Sequence, residues 1–474
     1  FYPIVWHQVA SLGAWSWRET LIANNVLLLA VALVWYLGLV YLARTALPKV
    51  RHAPYLALAA SLLAPVFPWR LTYGAALWPY CMAVATCPAV IAMSIECWRR
   101  ARTLMVVAAR EQNTSVWGAR ARAAMALSAI IPFFVGSCLI HTSAAAMLLW
   151  PLFGILLCQA VHSGIRSWRC ERRAQAAAWW IGALLAVVAF VAFVVLPGPQ
   201  QHHFGRYTEL DWSNLTTKLL IPITLNYFGG WAIEWIEMPL ATLCLLGAAI
   251  CLWRRRNWEL VVAWIFSMSL ILAAIAPIPV LSAFTGLFYR VPHRIKAMTA
   301  VLAVLLVVIA LDALRTWLSP LGARAGSALR AALGRIGLAS VSTAVLRAGA
   351  AVAVLAVCLP IMLIGSRAVA TDVREGYLPV HGDTRFIADT AELDVIRRLP
   401  DELPDNAVVI GDPVAGTGYI PILTGMRSVW VFPGQAADDQ DGIYLRENFN
   451  RIHTDPHVCE LLQRHGIQYF YADK

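Results

Sequence analysis

The run AMTAVLAVLLVVIALDAL occupies residues 297–314, and Asp312 is the only charged residue among its eighteen positions. A helix needs roughly 20 mostly apolar residues to cross the ~30 Å hydrocarbon core of a bilayer. The run therefore predicts a membrane-spanning helix. The whole chain points to the same class of protein, because 60% of its 474 residues are hydrophobic and only 14% are charged. Soluble domains average about half hydrophobic and about a quarter charged residues.

Apolar runs of this kind recur along the chain and predict an α-helical multi-pass membrane protein with about ten transmembrane helices. The 20 tryptophans agree with this class, because indole rings favour the interface between membrane and water. The ten runs lie at 21–43, 53–67, 74–95, 123–140, 143–161, 177–196, 239–253, 258–276, 297–314 and 348–365.

The charges of the loops between these runs predict which side of the membrane each loop occupies. One alternating set of loops holds 21 Lys and Arg, and the other set holds seven. Cytoplasmic loops carry the excess of Lys and Arg, so the first set is expected inside and the second set outside. The net charge of +11 then reflects membrane orientation and not nucleic-acid binding. The first set comprises loops 44–52, 96–122, 162–176, 254–257 and 315–347.

The chain changes character after residue 366. Residues 1–366 form the predicted transmembrane domain, whereas residues 367–474 carry 10 basic against 17 acidic residues. The positive-inside alternation of the loops predicts that this tail lies outside. The tail is predicted to be a small extracytoplasmic α/β domain, with a helix at 386–399 and a short apolar strand at 407–412. GDPVAGTG at 411–418 lacks the Lys–Ser/Thr pair of a P-loop, so a tight turn explains its glycines. Further elements are predicted at 427–432 (strand), 456–466 (helix) and 467–473 (strand).

A cationic cluster lies in an expected outer loop, where few positive charges are normal. FYRVPHRIK, residues 288–296, places Arg290, His293 and Arg294 beside Tyr289, just before the apolar run 297–314. Arginine clasps a phosphate through two parallel hydrogen bonds, so a lipid phosphate is the ligand that this cluster suggests. The alternative is that these side chains only reach the headgroups of ordinary phospholipids.

Aromatic and polar residues in other outer segments are candidates for lining a cleft. FYPIVWHQ at the start of the chain offers Tyr2, Trp6 and His7, whose rings suit a sugar or a prenyl group. Arg70 and His141 are further outer residues of this kind. The alternatives are an aromatic belt at the membrane interface and a structural histidine.

Two carboxylates in the longest outer loop are weaker candidates for catalysis. Glu234 and Glu237 are three residues apart in GGWAIEWIEMP, so on a helix they share a face. Such a pair could act as a general base or hold a divalent cation. The alternative is an interfacial helix with a solvated acidic edge. No cofactor is evident, because none of the ten cysteines has the spacing of a metal ligand.

Several motifs together resemble those of a known family. FYPIVWH, LIHTSAAAMLLWPL and LFYRVPHRIKAM, with VVIGDPVAGTGYIPILTGMRSVWVFPG and DPHVCELLQRHGIQYFYAD in the tail, resemble an uncharacterised family of actinobacterial multi-pass membrane proteins. That family has glycosyltransferase C (GT-C) architecture. In the wider GT-C class, a polyprenyl-phosphate sugar donates to an acceptor on the outer face, and an acidic residue of the first outer loop is catalytic. The chain begins at Phe1, so the resemblance implies a truncated N-terminus with this carboxylate upstream.

The resemblance implies a membrane glycosyltransferase that uses a polyprenyl-phosphate sugar and a cell-envelope glycan, lipid or protein acceptor. The phosphate would lie on Arg290 and Arg294, assisted by His293 and Tyr289. One alternative is a transporter or flippase for a lipid-linked glycan, which predicts charged residues at mid-membrane depth and repeated halves. The other is a non-catalytic protein of cell-envelope assembly. The expected location in every case is the cell membrane.

Overall fold

The computed structural model describes residues 5–15, 17–63, 71, 77–110, 116–195, 231–275, 281–288, 292–335, 367, 388–412, 416–431 and 439–472. The chain divides into two compact units. Phe1–Trp6 with Leu28–Thr371 form the first unit, and His7–Leu27 with Asp372–Lys474 form the second. The domain boundary expected between residues 366 and 367 stays a prediction.

Helices make up the described chain before residue 336. A 3-10 turn, Thr285–Phe288, leads into the longest of them. The helices are α1 (Val5–Ser11), α2 (Trp17–Ala46), α3 (Ala53–Leu63), α4 (Trp78–Arg110), α5 (Val116–Ser128), α6 (Ile130–Ile140), α7 (Ser143–Arg169), α8 (Arg173–Val195), α9 (Trp231–Trp253), α10 (Trp258–Ile275), α11 (Leu281–Phe284) and α12 (Pro292–Arg335).

Within the described ranges, six helical segments are long and apolar enough to cross a bilayer, so the chain is an α-helical membrane protein. Three shorter apolar helices, at Ala53–Leu62, Arg173–Ala189 and Pro239–Trp253, coincide with three more of the ten predicted runs. The tenth run, 348–365, lies outside the described residues. The six segments are Glu19–Ala46, Trp78–Ala101, Arg120–Ile140, Ser143–Arg169, Trp258–Ile275 and Arg294–Pro320.

Helix α12 is the centre of the membrane-spanning unit. In its most apolar 18-residue window 83% of the residues are buried, against 11% to 44% in the other five segments. It packs against α3, α9 and α10. A Cβ atom at Gly247 of α9 would overlap the backbone carbonyl of Leu306 in α12. The two helices approach this closely because residue 247 has no side chain, a common device between membrane helices.

The predicted run 123–140 is a helix with a break. Helix α5 ends at Ser128, and α6 begins at Ile130. Pro132 lacks a backbone N–H, and its ring conflicts with the carbonyl four residues earlier, which belongs to Ser128. The proline therefore explains why the two helices are separate.

A small parallel sheet organises the C-terminal residues. Its strands are β1 (Val408–Gly411), β2 (Arg427–Ser428) and β3 (Tyr469–Tyr471), in the order β2-β1-β3. Alternate residues of β1 face opposite sides, so Val408 and Ile410 pack in one hydrophobic cluster and Val409 packs in another. The surrounding helices are α13 (Thr390–Glu402), α14 (Tyr419–Thr424), α15 (Gln440–Asn448) and α16 (Pro456–Arg464).

The three predicted strands are present, but the second is much shorter than the predicted range 427–432. The paired residues of β2 end at Ser428, and the N–H of the next residue, Val429, still donates to the carbonyl of Val409 at 2.9 Å. The Ser428 hydroxyl donates to the carbonyl of Trp430 at 3.0 Å. This local bond competes with a further ladder bond. The Trp430 side chain is buried in the cluster that contains Val408. The tail is therefore a helix-covered parallel sheet, as the sequence predicts, with one very short edge strand.

Candidate functional site

Three of the predicted site residues meet at the first turn of α4. The rings of Trp6 and Trp78 lie 5.9 Å apart between centroids. Two residues further along α4, the Tyr80 ring meets the ring of His141 edge-on, with centroids 5.3 Å apart and an angle of 81° between the rings. The guanidinium carbon of Arg294 lies 5.3 Å from the centroid of the same Tyr80 ring. Residues that are far apart in the sequence are thus brought together around α4.

Tyr80 fixes the position of Arg294 in two ways. Its ring receives the guanidinium group in a cation–π contact, which stabilises a desolvated cation. Its hydroxyl donates a hydrogen bond to the backbone carbonyl of Arg294. Tyr80 is 1% exposed, so both contacts are made away from solvent. Sequence reasoning missed this residue, because Tyr80 lies inside the apolar run 74–95 and nothing in its neighbours marks it.

His141 is a neutral hydrogen-bonding group beside this cation. It is buried in the turn between α6 and α7, where its Nδ1 accepts a hydrogen bond from the backbone N–H of Ser143 at 3.1 Å. Burial and the positive charge of Arg294 lower the pKa of His141 from 6.5 to about 4. The ring is therefore neutral at pH 7, and its proton is on Nε2, which is a donor.

A second cation lies in the same turn of α12 as Arg294. Lys296 is 2% exposed, and its backbone carbonyl accepts the hydroxyl proton of Thr299 at 2.8 Å. The first turn of a helix carries a partial positive charge, which adds to the charges of both side chains. The segments that build this region contain no Asp or Glu at 53–95, 112–170 or 260–311. Arginine and lysine side chains near the start of a helix suit an anion as the class of ligand.

An apolar crevice begins about one helical turn from the cations. Helices α4, α7 and α12 form its walls, and these helices also carry Tyr80, the residues after His141, and Arg294. Cys87 of α4 and Met147 of α7 meet across it with their sulfur atoms 3.8 Å apart. The Arg294 cluster and a small apolar crevice of about 280 Å³ thus share one set of helices. The lining residues are Val84, Cys87, Ile91, Met147, Pro151, Ala297, Met298, Val301 and Leu302.

The other predicted site residues are not part of this described cluster. His7 is exposed on α1. Glu234 and Glu237 lie in α9 and His293 lies in α12, but the described structure does not extend to their side chains. Their predicted roles stay predictions. Four further candidates lie outside the described residues: Tyr2, Arg70, Tyr289 and Arg290.

No metal centre is visible in the part of the chain that the structure describes. There, no group of three or more His, Cys, Asp or Glu side chains is close enough to hold a metal ion. The divalent cation suggested for Glu234 and Glu237 is not tested by this observation, because it does not cover those side chains.

Comparison with known proteins gives a family for the whole length of the chain. The matching model is described as a family of unknown function, DUF6541, and it covers residues 1–474. No curated protein and no solved structure matches the chain. The family assignment therefore carries no activity with it, and the chemistry of the site has to be argued from the residues.

Proposed function

The chain belongs to the DUF6541 family of unknown function, and we propose that it is a membrane glycosyltransferase of GT-C type. Its donor would be a polyprenyl-phosphate sugar, and its acceptor a glycan, lipid or protein of the cell envelope. The observation that supports this proposal best is Arg294, held against the Tyr80 ring near the start of α12, about one helical turn from an apolar crevice between α4, α7 and α12. A lipid phosphate has the same two parts, a compact anion and a long apolar chain.

The head of such a lipid matches the charged end of the site. Arg294 offers a planar fork of donors that fits two phosphate oxygens, and Lys296 adds a second positive charge. The backbone N–H groups in the first turn of a helix carry its partial positive charge and favour an anion at that end of α12. His141, neutral with its proton on Nε2, is a donor that does not need to be charged.

The tail of the lipid matches the apolar end of the site. A polyprenyl chain already lies in the hydrocarbon of the bilayer, so the crevice would contribute van der Waals packing and not removal from water. The chain would position the lipid, whereas the cations would select the phosphate. Met147 and Met298, which line the crevice, have flexible side chains that adapt to an irregular chain.

The cations also suit the chemistry of sugar transfer. When the sugar leaves its carrier, negative charge accumulates on the lipid phosphate, and fixed cations stabilise that change in the transition state. A general base would be needed for the acceptor, and a carboxylate is the group expected from the GT-C resemblance. Glu234 or Glu237 would supply it.

The proposed topology has ten spans, with the cationic cluster and the C-terminal tail outside. It rests on the charge difference between alternate loops. Two loops of the basic set line one common cavity with Arg99, the first through residues 47–50 and the second through Arg254, Arg256 and Asn257. Loops that the alternation assigns to one side are thus close together in the fold.

Binding of a polyprenyl phosphate to the full-length protein in lipid nanodiscs tests the proposal. We expect Arg294→Gln to weaken binding by about 10- to 100-fold, the range of a hydrogen bond to a charged group. Arg335→Gln, at the exposed far end of the same helix, is the matched control and should bind as the wild type does. The corresponding polyprenol, which lacks the phosphate, should bind more weakly than the phosphate to the wild type. Equal binding of alcohol and phosphate, or no effect of Arg294→Gln, would contradict a phosphate site.

The two alternatives differ from a transferase in what they do with a bound lipid. A flippase would move a lipid-linked glycan between leaflets without transferring sugar, and an assembly protein would do neither. Release of radiolabelled sugar from its polyprenyl-phosphate carrier into envelope material distinguishes a transferase from both. The same Arg294→Gln and Arg335→Gln pair serves as the test and control variants.

A further inference from the structure

A second cavity lies towards the other end of α12 and has a different character. It encloses about 930 Å³, including the part open to solvent. The end of α2, the end of α9 and the turns that follow them form its walls, with one residue of α4 and two of α12. The lining residues are Ala46, Leu47, Pro48, Lys49, Val50, Arg99, Ile250, Cys251, Arg254, Arg256, Asn257, Ile309 and Asp312.

The lining is strongly positive. Lys49, Arg99, Arg254 and Arg256 face a single carboxylate, Asp312, so the formal charge of the lining is four minus one, or +3. The carboxylate is already engaged, because its Oδ1 accepts from the guanidinium of a neighbouring arginine at 3.1 Å. An anion would therefore be attracted to this cavity.

The nearest acidic residue on α4 is engaged elsewhere. Glu96 lies one turn before Arg99, and its carboxylate accepts the Tyr41 hydroxyl at 2.7 Å and the Thr45 hydroxyl at 3.3 Å. Arg99 itself donates from Nη1 to the backbone carbonyl of Thr45 at 2.7 Å. This bond holds the guanidinium group at the end of α2, where the carbonyls of the last turn favour a cation.

The turn after α9 has an unusual backbone conformation, which positions the other arginines of the cavity. The N–H of Arg256 donates to the carbonyl of Cys251 at 3.0 Å, and the N–H of Arg255 donates to that of Leu252 at 3.1 Å. This is the Schellman pattern, in which the residue after the helix end is left-handed and usually glycine. Here it is Arg255, with φ of 51°. A left-handed conformation is strained for a residue with a side chain, and such strain is often kept at functional sites.

The two sites lie at opposite ends of one membrane-spanning helix. Asp312 follows Arg294 by 18 residues, which is about 27 Å along α12 at 1.5 Å per residue. The hydrocarbon core of a bilayer is ~30 Å thick, so the basic cavity is at the interface opposite the Arg294 cluster. The charge alternation assigns this interface to the cytoplasm, where anionic lipids make the membrane surface negative.

We propose that this cavity binds the phosphate group of an anionic ligand, and that the ligand is the headgroup of an anionic membrane lipid. The arginines of the turn after α9, with Lys49 and Arg99, would surround the phosphate. Ile250, Cys251 and Ile309 provide an apolar wall for the glycerol and the upper acyl chain. This site is separate from the proposed sugar-transfer site and does not depend on it.

Native mass spectrometry of the full-length protein tests this site with two lipids of identical acyl chains, phosphatidylglycerol and phosphatidylcholine. The wild type should retain phosphatidylglycerol in preference to phosphatidylcholine. The double variant Arg254→Gln, Arg256→Gln should lose that preference by about tenfold or more, because it removes two of the four cations of the lining and each cation attracts an anionic lipid. Both side chains are exposed, so the variant is expected to fold.

A matched control and a competitor complete the test. The double variant Arg166→Gln, Arg169→Gln removes the same charge from exposed positions in the last turn of α7 and should behave as the wild type does. A second outcome is that inorganic phosphate binds the wild type and the control but not the cavity variant, while no protein prefers phosphatidylglycerol. That outcome would support the phosphate site but overturn the lipid as its ligand in favour of a soluble phosphate. Equal retention of phosphatidylglycerol by all three proteins, with no phosphate binding, would overturn the proposal.

Discussion

At the scale of single residues, the cluster around Tyr80 joins the sequence to the proposed chemistry. One aromatic ring contacts both Arg294 and His141, and its hydroxyl bonds the backbone where α12 begins. Tyr80 holds the guanidinium group of Arg294 with its ring and the backbone of Arg294 with its hydroxyl, so Arg294 would need little rearrangement to bind a phosphate. Such preorganisation is what makes a fixed cation effective in stabilising developing charge.

His141 is expected to make stability depend on pH in a defined window. Its pKa is 6.5 in the unfolded chain and about 4 in the folded protein, so the unfolded chain binds the proton first as pH falls. Stability is therefore fully present above pH 6.5 and falls as pH decreases towards 4. Within that window the loss is about 1.4 kcal/mol per pH unit from this residue.

Thermal unfolding of the wild type and of His141→Asn from pH 7.5 to pH 4 measures this effect. The asparagine carbonyl can accept the Ser143 N–H but does not titrate, so the variant should have a shallower fall between pH 6.5 and 4. Other groups titrate equally in both proteins. Identical pH profiles would show that His141 is not a buried neutral histidine.

The sequence predicted part of this cluster and missed the rest for a physical reason. Arg294 and His141 could be found because a charged or titratable residue beside an apolar run is unusual. Tyr80 could not, because the side of α4 that faces inward depends on how the helices pack. The charge of Lys296 was visible, but its burial was not, since burial depends on the neighbours that α12 finds in the fold.

At the scale of elements, close packing between α9 and α12 sets how tightly the membrane unit closes. We expect Gly247→Ala to destabilise the protein, because a Cβ atom there would overlap the Leu306 carbonyl, which is backbone and cannot rotate away. The added methyl should push the helices apart and cost about 1–3 kcal/mol, as overpacking usually does. A lower thermal unfolding midpoint in detergent would be the signature.

Gly136→Ala in α6 is the control for that substitution. A Cβ atom at this position meets nothing within 4 Å. Alanine also favours a helix over glycine, by up to about 1 kcal/mol. The control should therefore be as stable as the wild type or slightly more stable. An equal loss in both variants would show that the approach of α9 to α12 is not what limits stability.

The hydrophobicity of the sequence predicts where the helices lie better than it predicts where helices and strands end. Nine of the ten predicted runs coincide with described helices, because long apolar segments are read directly from the sequence. The break before Ile130 was missed, although Pro132 was visible, because a proline in a membrane helix is often tolerated by its neighbours. The strand at 427–432 was too long in the prediction, because an apolar sequence continues beyond the last paired residue.

At the scale of the whole molecule, the proposed topology places the end of the helical unit that carries the basic cavity on the cytoplasmic side. Two native cysteines test this placement, because Cys170 follows α7 in a basic loop and Cys459 is in the C-terminal tail, and both are exposed. In intact cells, a membrane-impermeant maleimide should label a variant that retains only Cys459. A variant that retains only Cys170 should be labelled only after the cells are made permeable. The reverse pattern would invert the topology and place the Arg294 cluster inside.

The glycosyltransferase proposal requires a polyprenyl phosphate to bind with its head at Arg294 and its chain between α4, α7 and α12. Its most direct test is photo-crosslinking with a polyprenyl phosphate that carries a diazirine on the isoprene unit nearest the phosphate. We predict crosslinks to residues of the crevice such as Val84, Met147 and Met298, which an excess of unlabelled polyprenyl phosphate should suppress. Crosslinks confined to exposed apolar residues such as Leu184 and Leu185 of α8, unaffected by competitor, would show that the lipid only surrounds the protein and would contradict the proposal.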